Sequence, residues 1–540
     1  MSVVQRLIAD HLDVWTAAET ERKSGRGRSA GSAGSVYGIR KLRELILELA
    51  IAGRLVSSDK CTYIDSTLGD VGEWGSGGTP LKTNHEYYGG NIPWLIIGDL
   101  NDGLVLKSEI KISEQGLKNS SAKLVPVGAL LIAMYGSIGK LGIAGISCAT
   151  NQAIAYCIPD RSKVLTEYLF IYLRSIRKNL LSRGQGLAQQ NISQKILKAV
   201  SIGLPPLEEQ HRIVAKVDEL MALCDQLETR HVSSVDAHEK LVGHLLGTLT
   251  DSRDAKDFAD RWQRIAKHFD TLFTTEASID ALKKSLLQLA VMGKLVLQDP
   301  TDEPARELLK RIQAAKAKLN GEKKIKKDMA LDSIVAIEKE ATLPLGWEMV
   351  TIHEISQVGT GATPLRSTPE YFNPPSISWV TSGETSKPYI FETEEYVSPL
   401  AIEKTNLTVY PKGTLIVAMY GQGKTRGQIT ELMIDACTNQ ACAAIRLFSS
   451  DEAHRKYVKL YFEKIYDEIR EMASGGAQPN LNLSKVKKTL IPLPPLAEQH
   501  RIVAKVDELM SLCNQLKSRI ADASHLQQKL ADALVEQAVA

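Results

Sequence analysis

The 540 residues carry 66 Lys+Arg against 63 Asp+Glu, a net charge of +3, with 44% hydrophobic and 24% charged residues; this excludes a wholly disordered or collagen-like chain and fills about three or four domains. No apolar run reaches the roughly 18 residues of a membrane span, Met1–Asp10 lacks a signal-peptide apolar core, and seven cysteines without a C-x-x-C pair fit a reducing, cytoplasmic compartment rather than a zinc or disulfide framework. The balanced charge also argues against holding nucleic acid by bulk basicity.

In chain order, residues 1–60 read as helical: LIADHLDVWTAAE (Leu7–Glu19) and LRELILELAIAGRLV (Leu42–Val56) flank a Gly/Ser/Arg loop at Ser24–Ser35. Residues 61–203 hold short apolar runs such as Ala129–Tyr135, broken by Gly, Pro and Asn, as mixed α/β domains do. Residues 204–300 form a second helical region. It starts at Leu-Pro-Pro-Leu, and Ile213, Val217, Leu220, Cys224 and Leu227 follow at the 4-3-4-3 spacing of a coiled-coil seam. Pro205 suits a helix entrance, where a missing N–H costs nothing. Residues 301–342 are a Lys-rich solvated helix or linker, 343–492 a second mixed domain, and 493–540 a last helical region with the seam Ile502, Val506, Leu509, Cys513, Leu516 and Ile520.

The chain is a tandem duplication. Leu204–Leu227 and Leu493–Leu516 differ at three of 24 positions, at an offset of 289. Gly77–Lys82 returns as Gly361–Arg366, Ala133–Gly136 as Ala418–Gly421, and Thr150–Ala153 as Thr438–Ala441. Leu7–Glu19 and Leu42–Val56 resemble Arg264–Glu276 and Leu282–Val296, so the two ends together make a second copy of the centre. The fold class that follows is α+β: two mixed α/β domains separated by long antiparallel coiled-coil helices in a pseudo-two-fold, circular arrangement. Cys224 and Cys513 are matched small core residues in this reading.

Catalytic signatures are weak. AMYGQGKT (Ala418–Thr425) imitates a phosphate-binding loop, but its partner AMYGSIGKL has Leu141 where a Mg²⁺-binding Ser or Thr belongs, so both read as turns presenting Lys140 and Lys424. Asn373-Pro374-Pro375-Ser376 lacks the aromatic residue that would stack on a flipped base and reads as a surface turn.

Leu204–Val214 (LPPLEEQHRIV), Pro492–Val503 (PLPPLAEQHRIV), Leu343–Trp347 (LPLGW), Leu49–Val56, Leu289–Val296, Ala188–Ile192 and Ala477–Leu481 together resemble the specificity subunit of type I restriction–modification systems, over nearly the whole chain. The resemblance implies two target-recognition domains, 61–203 and 343–492, each reading one half of a bipartite double-stranded DNA site. It implies helices that dock two methyltransferase subunits and, through them, restriction subunits. No chemistry and no cofactor belong to this chain; S-adenosylmethionine, ATP and Mg²⁺ are used by the partners. A helix from Leu207 to Leu249 would be roughly 65 Å long, long enough to serve half-sites about 34 Å apart. A methylation-only system and a duplicated protein-binding scaffold are the alternatives.

Residues identical in both domains cannot distinguish two half-sites, so they hold the fold or touch phosphate. These are Thr79, Lys82, Tyr135, Lys140, Gln189 and Asn191, with Thr363, Arg366, Tyr420, Lys424, Gln478 and Asn480. Base readers belong where the copies diverge: Asn101, Lys107, Lys111, Ser382, Lys387, Arg426 and Gln428. Partner helices would meet the outer faces of the long helices at Glu209, Gln210, Arg212 and Asp218, with Glu498, Gln499 and Arg501 as copies. The first domain has 14 basic and 10 acidic residues over 61–203 and the second 15 and 16 over 345–492, so DNA would be held by local patches and by the partners' clamp.

Overall fold

The computed structural model describes residues 3–17, 36–56, 62–183, 192–321, 343–421, 425–474 and 481–539. The chain divides into two compact units, Met1–Val235 with Ala521–Ala540, and Asp236–Ile520. Each contains one mixed α/β domain and its helices.

The two domains share one topology. In unit 1, Ile64–Thr67 pairs antiparallel with Ser201–Leu204, joining the first and last strands of the domain. A five-stranded sheet follows in the order Gly72–Ser76, Ile154–Pro159, Leu130–Ala133, Leu141–Ala144, Leu104–Val105, antiparallel except for its last pair. Unit 2 repeats this with Glu348–Thr351 on Leu490–Leu493, and Ser356–Thr360, Cys442–Leu447, Leu415–Ala418, Ile429–Leu432, Tyr389–Ile390. A smaller sheet carries Tyr88–Leu95 in one domain and Ile377–Val380 in the other, each parallel to the strand of the Thr-Asn-Gln motif.

Leu130–Ala133 is buried at every position because both sheet faces are covered. Leu130 and Ile132 join the core shared with the helices, while Leu131 and Ala133 join a second core on the opposite face, the period of two expected of a strand. Leu415 and Val417 divide from Ile416 in the same way in unit 2.

Six helices organise the units: α1 (Tyr37–Ile51), α2 (Thr166–Ser175), α3 (Leu207–Thr250), α4 (Glu276–Val291), α5 (Glu452–Lys464) and α6 (Leu496–Val539). α1 and α4 are repeat equivalents, and both end on a left-handed glycine, Gly53 (φ 68°) and Gly293 (φ 67°). Arg54 N–H then reaches Leu49 O at 2.9 Å, and Lys294 N–H reaches Leu289 O at 3.0 Å, the closing bond of a Schellman turn. The split repeat is completed in unit 1. There the N-terminal α1 meets the end of α6 through Lys41–Asp532 (2.7 Å) and the Tyr37 hydroxyl donating to Asp532 (2.8 Å).

The seam residues are buried, but in larger cores than a two-helix seam. Ile213, Val217, Leu220 and Cys224 share a core with Ile39, Leu42, Ile46, Ala531 and Leu534; Ile502, Val506, Leu509 and Cys513 share one with Val242, Leu246, Leu282 and Leu286. A third helix, α1 or α4, therefore takes part in each core. Between Cys224 and Val242, and between Cys513 and Ala531, no residue is buried. The Lys-rich stretch also departs from a solvated linker where it is described. Ala305–Gly321 is helical, and Ala305, Leu308 and Ile312 on one face are buried.

The expected partner-docking face is corrected by burial. Glu209, Gln210, Glu498 and Gln499 are 4%, 0%, 1% and 0% exposed, because each domain's own α2 or α5 segment covers the first turn of its long helix. The Gln210 amide donates to the carbonyls of Lys163 and Pro205 and accepts from Leu165 N–H, all at 2.9 Å. Gln499 donates to Pro494 O (2.8 Å) and accepts from Nδ1 of buried His454 (2.9 Å), whose pKa is lowered by burial. Arg501 is bidentate to Asp302 (2.6 and 3.3 Å). Arg212 and Asp218 alone of this set in α3 remain exposed, Arg212 paired to Glu209 at 2.9 Å.

Gln210→Leu leaves a buried N–H and two carbonyls without partners and is expected to cost about 2–4 kcal/mol. Lys240→Ala, which removes a pair with Asp236 (2.7 Å) that is exposed on both sides, should stay within about 0.5 kcal/mol. Urea unfolding of the two variants beside the parent chain checks this; equal losses would show that the amide is not the fastening.

Candidate nucleic-acid interface

The motifs common to both domains converge in each. Gly78 N–H donates to Thr150 O (2.9 Å), Met134 N–H to Ala153 O (2.8 Å) and Ile192 N–H to Met134 O (3.0 Å). In unit 2, Ala362 N–H donates to Thr438 O (3.1 Å) and Met419 N–H to Ala441 O (2.7 Å). The indole N–H groups of Trp94 and Trp379 pin the same loops, donating to Gly78 O (3.0 Å) and Ala362 O (3.2 Å). Asn151 and Asn439 make matching Asx turns, accepting from Ala153 and Ala441 N–H at 3.1 Å. At Gly77 and Gly361 a Cβ would overlap the carbonyl oxygen of Thr150 or Thr438, which is why glycine begins both loops. The shared motifs thus build a main-chain frame.

The phosphate candidates stand around that frame in different states. Lys82 and Thr363 are exposed, and Tyr135 and Tyr420 are 37% and 38% exposed. Thr79 donates its hydroxyl proton to Gln152 Oε1. Lys140 lies half-buried with Nζ 3.4 Å from Ile97 O. Arg366, the counterpart of Lys82, pairs with Glu395 at 2.7 Å and lies over the rings of Phe372 (5.4 Å) and Trp379 (5.6 Å). A phosphate would have to displace that carboxylate. Gln189, Asn191, Lys424, Gln478 and Asn480 lie outside the described residues.

Of the base-reading candidates, Lys107, Lys111 and Lys387 are exposed. Asn101 uses its amide within its own turn, accepting from Gly103 N–H (3.1 Å) and donating to Leu104 O (3.3 Å). Among the described residues no hydrogen bond links it to Lys107 or Lys111. In unit 2 the Thr385 hydroxyl lies 2.8 Å from Ser382 O and 3.5 Å from Gln428 Oε1, which brings Ser382 and Gln428 together; Arg426 is half-buried nearby in sequence.

Three carboxylates that sequence reasoning passed over hold these divergent loops. Asp99 accepts from Ile96 N–H (2.8 Å) and Glu384 from Thr381 N–H (2.9 Å), closing the same turn after each Trp strand. The Thr-Ser-Gly-Glu spacing of a capping box announces the second. Asp102, at φ 58°, is bidentate to Arg177 (2.5 and 2.9 Å) and accepts from Leu141 N–H (2.9 Å). Burial alone would raise its pKa, but those bonds hold it below the ordinary carboxylate value. No local signal marks a pair 75 residues apart.

At the start of α6, Trp347 of the Leu-Pro-Leu-Gly-Trp motif donates to Glu498 Oε2 at 2.9 Å. Burial pushes Glu498 up to about 7, against the opposing pull of Trp347 and Arg501.

The AMYG segments lead from strand to antiparallel strand, Leu130–Ala133 to Leu141–Ala144 and Leu415–Ala418 to Ile429–Leu432, not from strand to helix as a nucleotide-binding loop does. Asn373–Ser376 is an exposed turn. Among the described residues no three His, Cys, Asp or Glu side chains are grouped as metal ligands, and no helix is long and apolar enough to cross a membrane.

Comparison with known proteins gives a consistent result. The family described as Type I restriction modification DNA specificity domain matches residues 62–235 and 344–523. The chain is 31% identical to the type I restriction enzyme EcoEI specificity subunit of Escherichia coli, over 99% of this chain and 100% of that one. It is 33% identical to the EcoAI specificity subunit of the same species, again over 99% and 100%. Its fold is similar to that of a chain solved in work on assembly and conformational transition of the type I R-M system, with a TM-score of 0.53 and 18% identity over 89% of this chain and 99% of that one.

Two outcomes follow from the site's geometry. Gly361→Ala should destabilise unit 2 by about 1–3 kcal/mol through the forced shift of the loop, read by thermal unfolding. For Glu498, the folded-state pKa lies above the unfolded value, so the group's contribution to stability declines as pH rises from about 4.5 through 7. Glu498→Gln, which retains an acceptor for Trp347, should raise Tm at pH 8 and leave it nearly unchanged at pH 5; an equal shift at both would sink the assignment.

Proposed function

The chain belongs to the type I restriction–modification DNA specificity family, and on that premise we propose that its two variable domains each read one half of a bipartite duplex DNA site. One observation carries this reading: the same main-chain frame recurs in both domains, while the loops it presents, Leu95–Lys123 and Val380–Lys404, share little sequence. A common frame with divergent loops suits two readers that address different short sequences.

Lys82, Tyr135 and Lys140, with Thr363 and Tyr420, would position the backbone, and Lys107, Lys111, Ser382, Lys387, Arg426 and Gln428 would address base edges. The helical regions dock two methyltransferase subunits, with restriction subunits joining through them. Because Gln210 and Gln499 face inward, docking falls to exposed helix positions such as Arg212 and Asp218 and the stretch between Cys224 and Val242. The methyl donor S-adenosylmethionine, ATP and Mg²⁺ would be held by those partners, which carry the chemistry.

Replacing 61–203 with the matching domain of another family member should change one half of the methylated sequence and leave the other intact. Sequencing the methylated bases of a host that expresses the swapped chain with its methyltransferase reads both halves together. A change in both halves would defeat the modular reading.

A further inference from the structure

Unit 1 holds a cleft of about 330 Å³ between α1 and the α2 segment. Its cationic lining is Arg40, Arg43, Arg174, Arg177 and Lys178, against Glu44 and Glu48. Three of the five cations are matched. Arg43 binds Asp225 (2.6 Å) and Glu228 (2.7 Å), Arg177 binds Asp102 (2.5 Å), and Lys178 binds Glu44 (2.7 Å). Among the described residues Arg40 makes no ion pair; it overlies the Tyr37 ring at 5.0 Å, and the carboxylate it acts on, Asp532, is already bound to Lys41. Among the described residues Arg174 makes no ion pair; the carboxylates that act on it, Asp102 and Asp225, are already bound to Arg177 and Arg43. Burial, with the Arg177 and Arg43 charges beside it, lowers the Arg174 pKa. An anion entering the cleft would relieve that cost.

The duplication provides an internal control. By the repeat alignment that matches Leu42 with Leu282, Arg40 becomes Asp280 and Glu44 becomes Lys284; by the one that matches Tyr168 with Tyr457, Arg174 becomes Glu463 and Lys178 becomes Asp467. The Lys178–Glu44 pair (2.7 Å) survives in unit 2 as Lys284–Asp467 (2.5 Å) with its signs exchanged. The two unmatched guanidiniums, however, are replaced by carboxylates. The fold therefore does not require them.

We propose that Arg40 and Arg174 take a backbone phosphate of the DNA duplex beside the first half-site, a contact that unit 2 lacks. This rests on the DNA-reading function above and adds an asymmetry to it. Arg177 lines the cleft and also holds Asp102, and its side chain packs against Gly139, beside the turn that carries Lys140. Arg177 thus joins the lining of the cleft to the loops that present Asn101 and Lys140. Two identical methyltransferase subunits on a pseudo-two-fold would call for the same residues in both copies, whereas a phosphate contact that only positions the duplex can be made on one side alone. A guanidinium pair also matches a phosphate's several acceptors.

The test uses the full chain assembled with its methyltransferase partners and a duplex carrying both half-sites. For Arg40→Ala/Arg174→Ala, the slope of log Kd against log salt should shrink by about 0.9, one phosphate's worth, with the recognised sequence unchanged. Arg174→Lys should retain most of the slope, which separates lost charge from lost folding. Neutral methylphosphonate linkages placed one at a time beside the first half-site should weaken the parent complex at one position and not weaken the double variant there. The series beside the second half-site should affect both proteins alike. An unchanged slope, or no linkage whose effect the variant abolishes, overturns the proposal. Loss of methyltransferase assembly by size exclusion, with Kd of the remaining complex unaltered, would assign the cleft to an acidic protein segment and also overturn it. Competition by free inorganic phosphate with the DNA slope intact would make it a free-anion site instead. If the parent complex itself fails to prefer a bipartite duplex over a scrambled one, the DNA-reading function fails first and this proposal falls with it.

Discussion

A primary amide shut away from water must satisfy both its oxygen and its nitrogen or lose several kcal/mol, and the amides of Gln210 and Gln499 do so only in one arrangement of domain against helix. Each reaches the Pro-Pro entrance of its own long helix, and Gln210 also reaches the segment that leads into α2, Gln499 the first turn of α5. The Tyr168 and Tyr457 hydroxyls add a second point, donating to Gly203 O (3.1 Å) and Pro492 O (2.6 Å) on the last strand of each domain. Domain and helix start are thereby fastened together within each unit. Everything the loops present is positioned from that joint.

From the joint outward, the shared architecture is built mainly of main-chain bonds. The glycine-started loop against the Thr-Asn-Gln loop, the Tyr-Gly loop against the same segment, and the indole N–H on a carbonyl all use groups that every residue supplies. Side chains that project from this frame are therefore free to vary without loss of fold. That freedom is visible in the ion pair between α1 and the helix that follows α2, Glu44–Lys178, and its inverted counterpart between α4 and the helix that follows α5, Lys284–Asp467. One scaffold carries two different surfaces.

Much of this was legible because the chain is its own comparison. Repetition exposed the helix starts, the seams, the glycine loops and the completion of the N-terminal half-repeat by the C-terminus. The site was less legible, and the misses share a cause. Helical periodicity places Gln210 beside the seam but cannot say that α2 will lie over it, so an inward-facing fastening resembled an outward-facing surface. Arg366 resembled a free cation because Glu395, 29 residues away, reaches it only through the small sheet. Asp102 and Arg177 meet only because a loop after one strand folds against the end of a later helix.

The sequence by itself determined the duplication, the two mixed α/β domains, the long helices and their order, since these follow from patterns repeated within one chain and from local periodicity. Only the tertiary structure decided which polar side chains near the helix starts are buried, which cations are already neutralised and which are not. Those depend on what a second segment, distant along the chain, places within a few ångströms. Charge pairing and desolvation act at that range, and no local pattern encodes it.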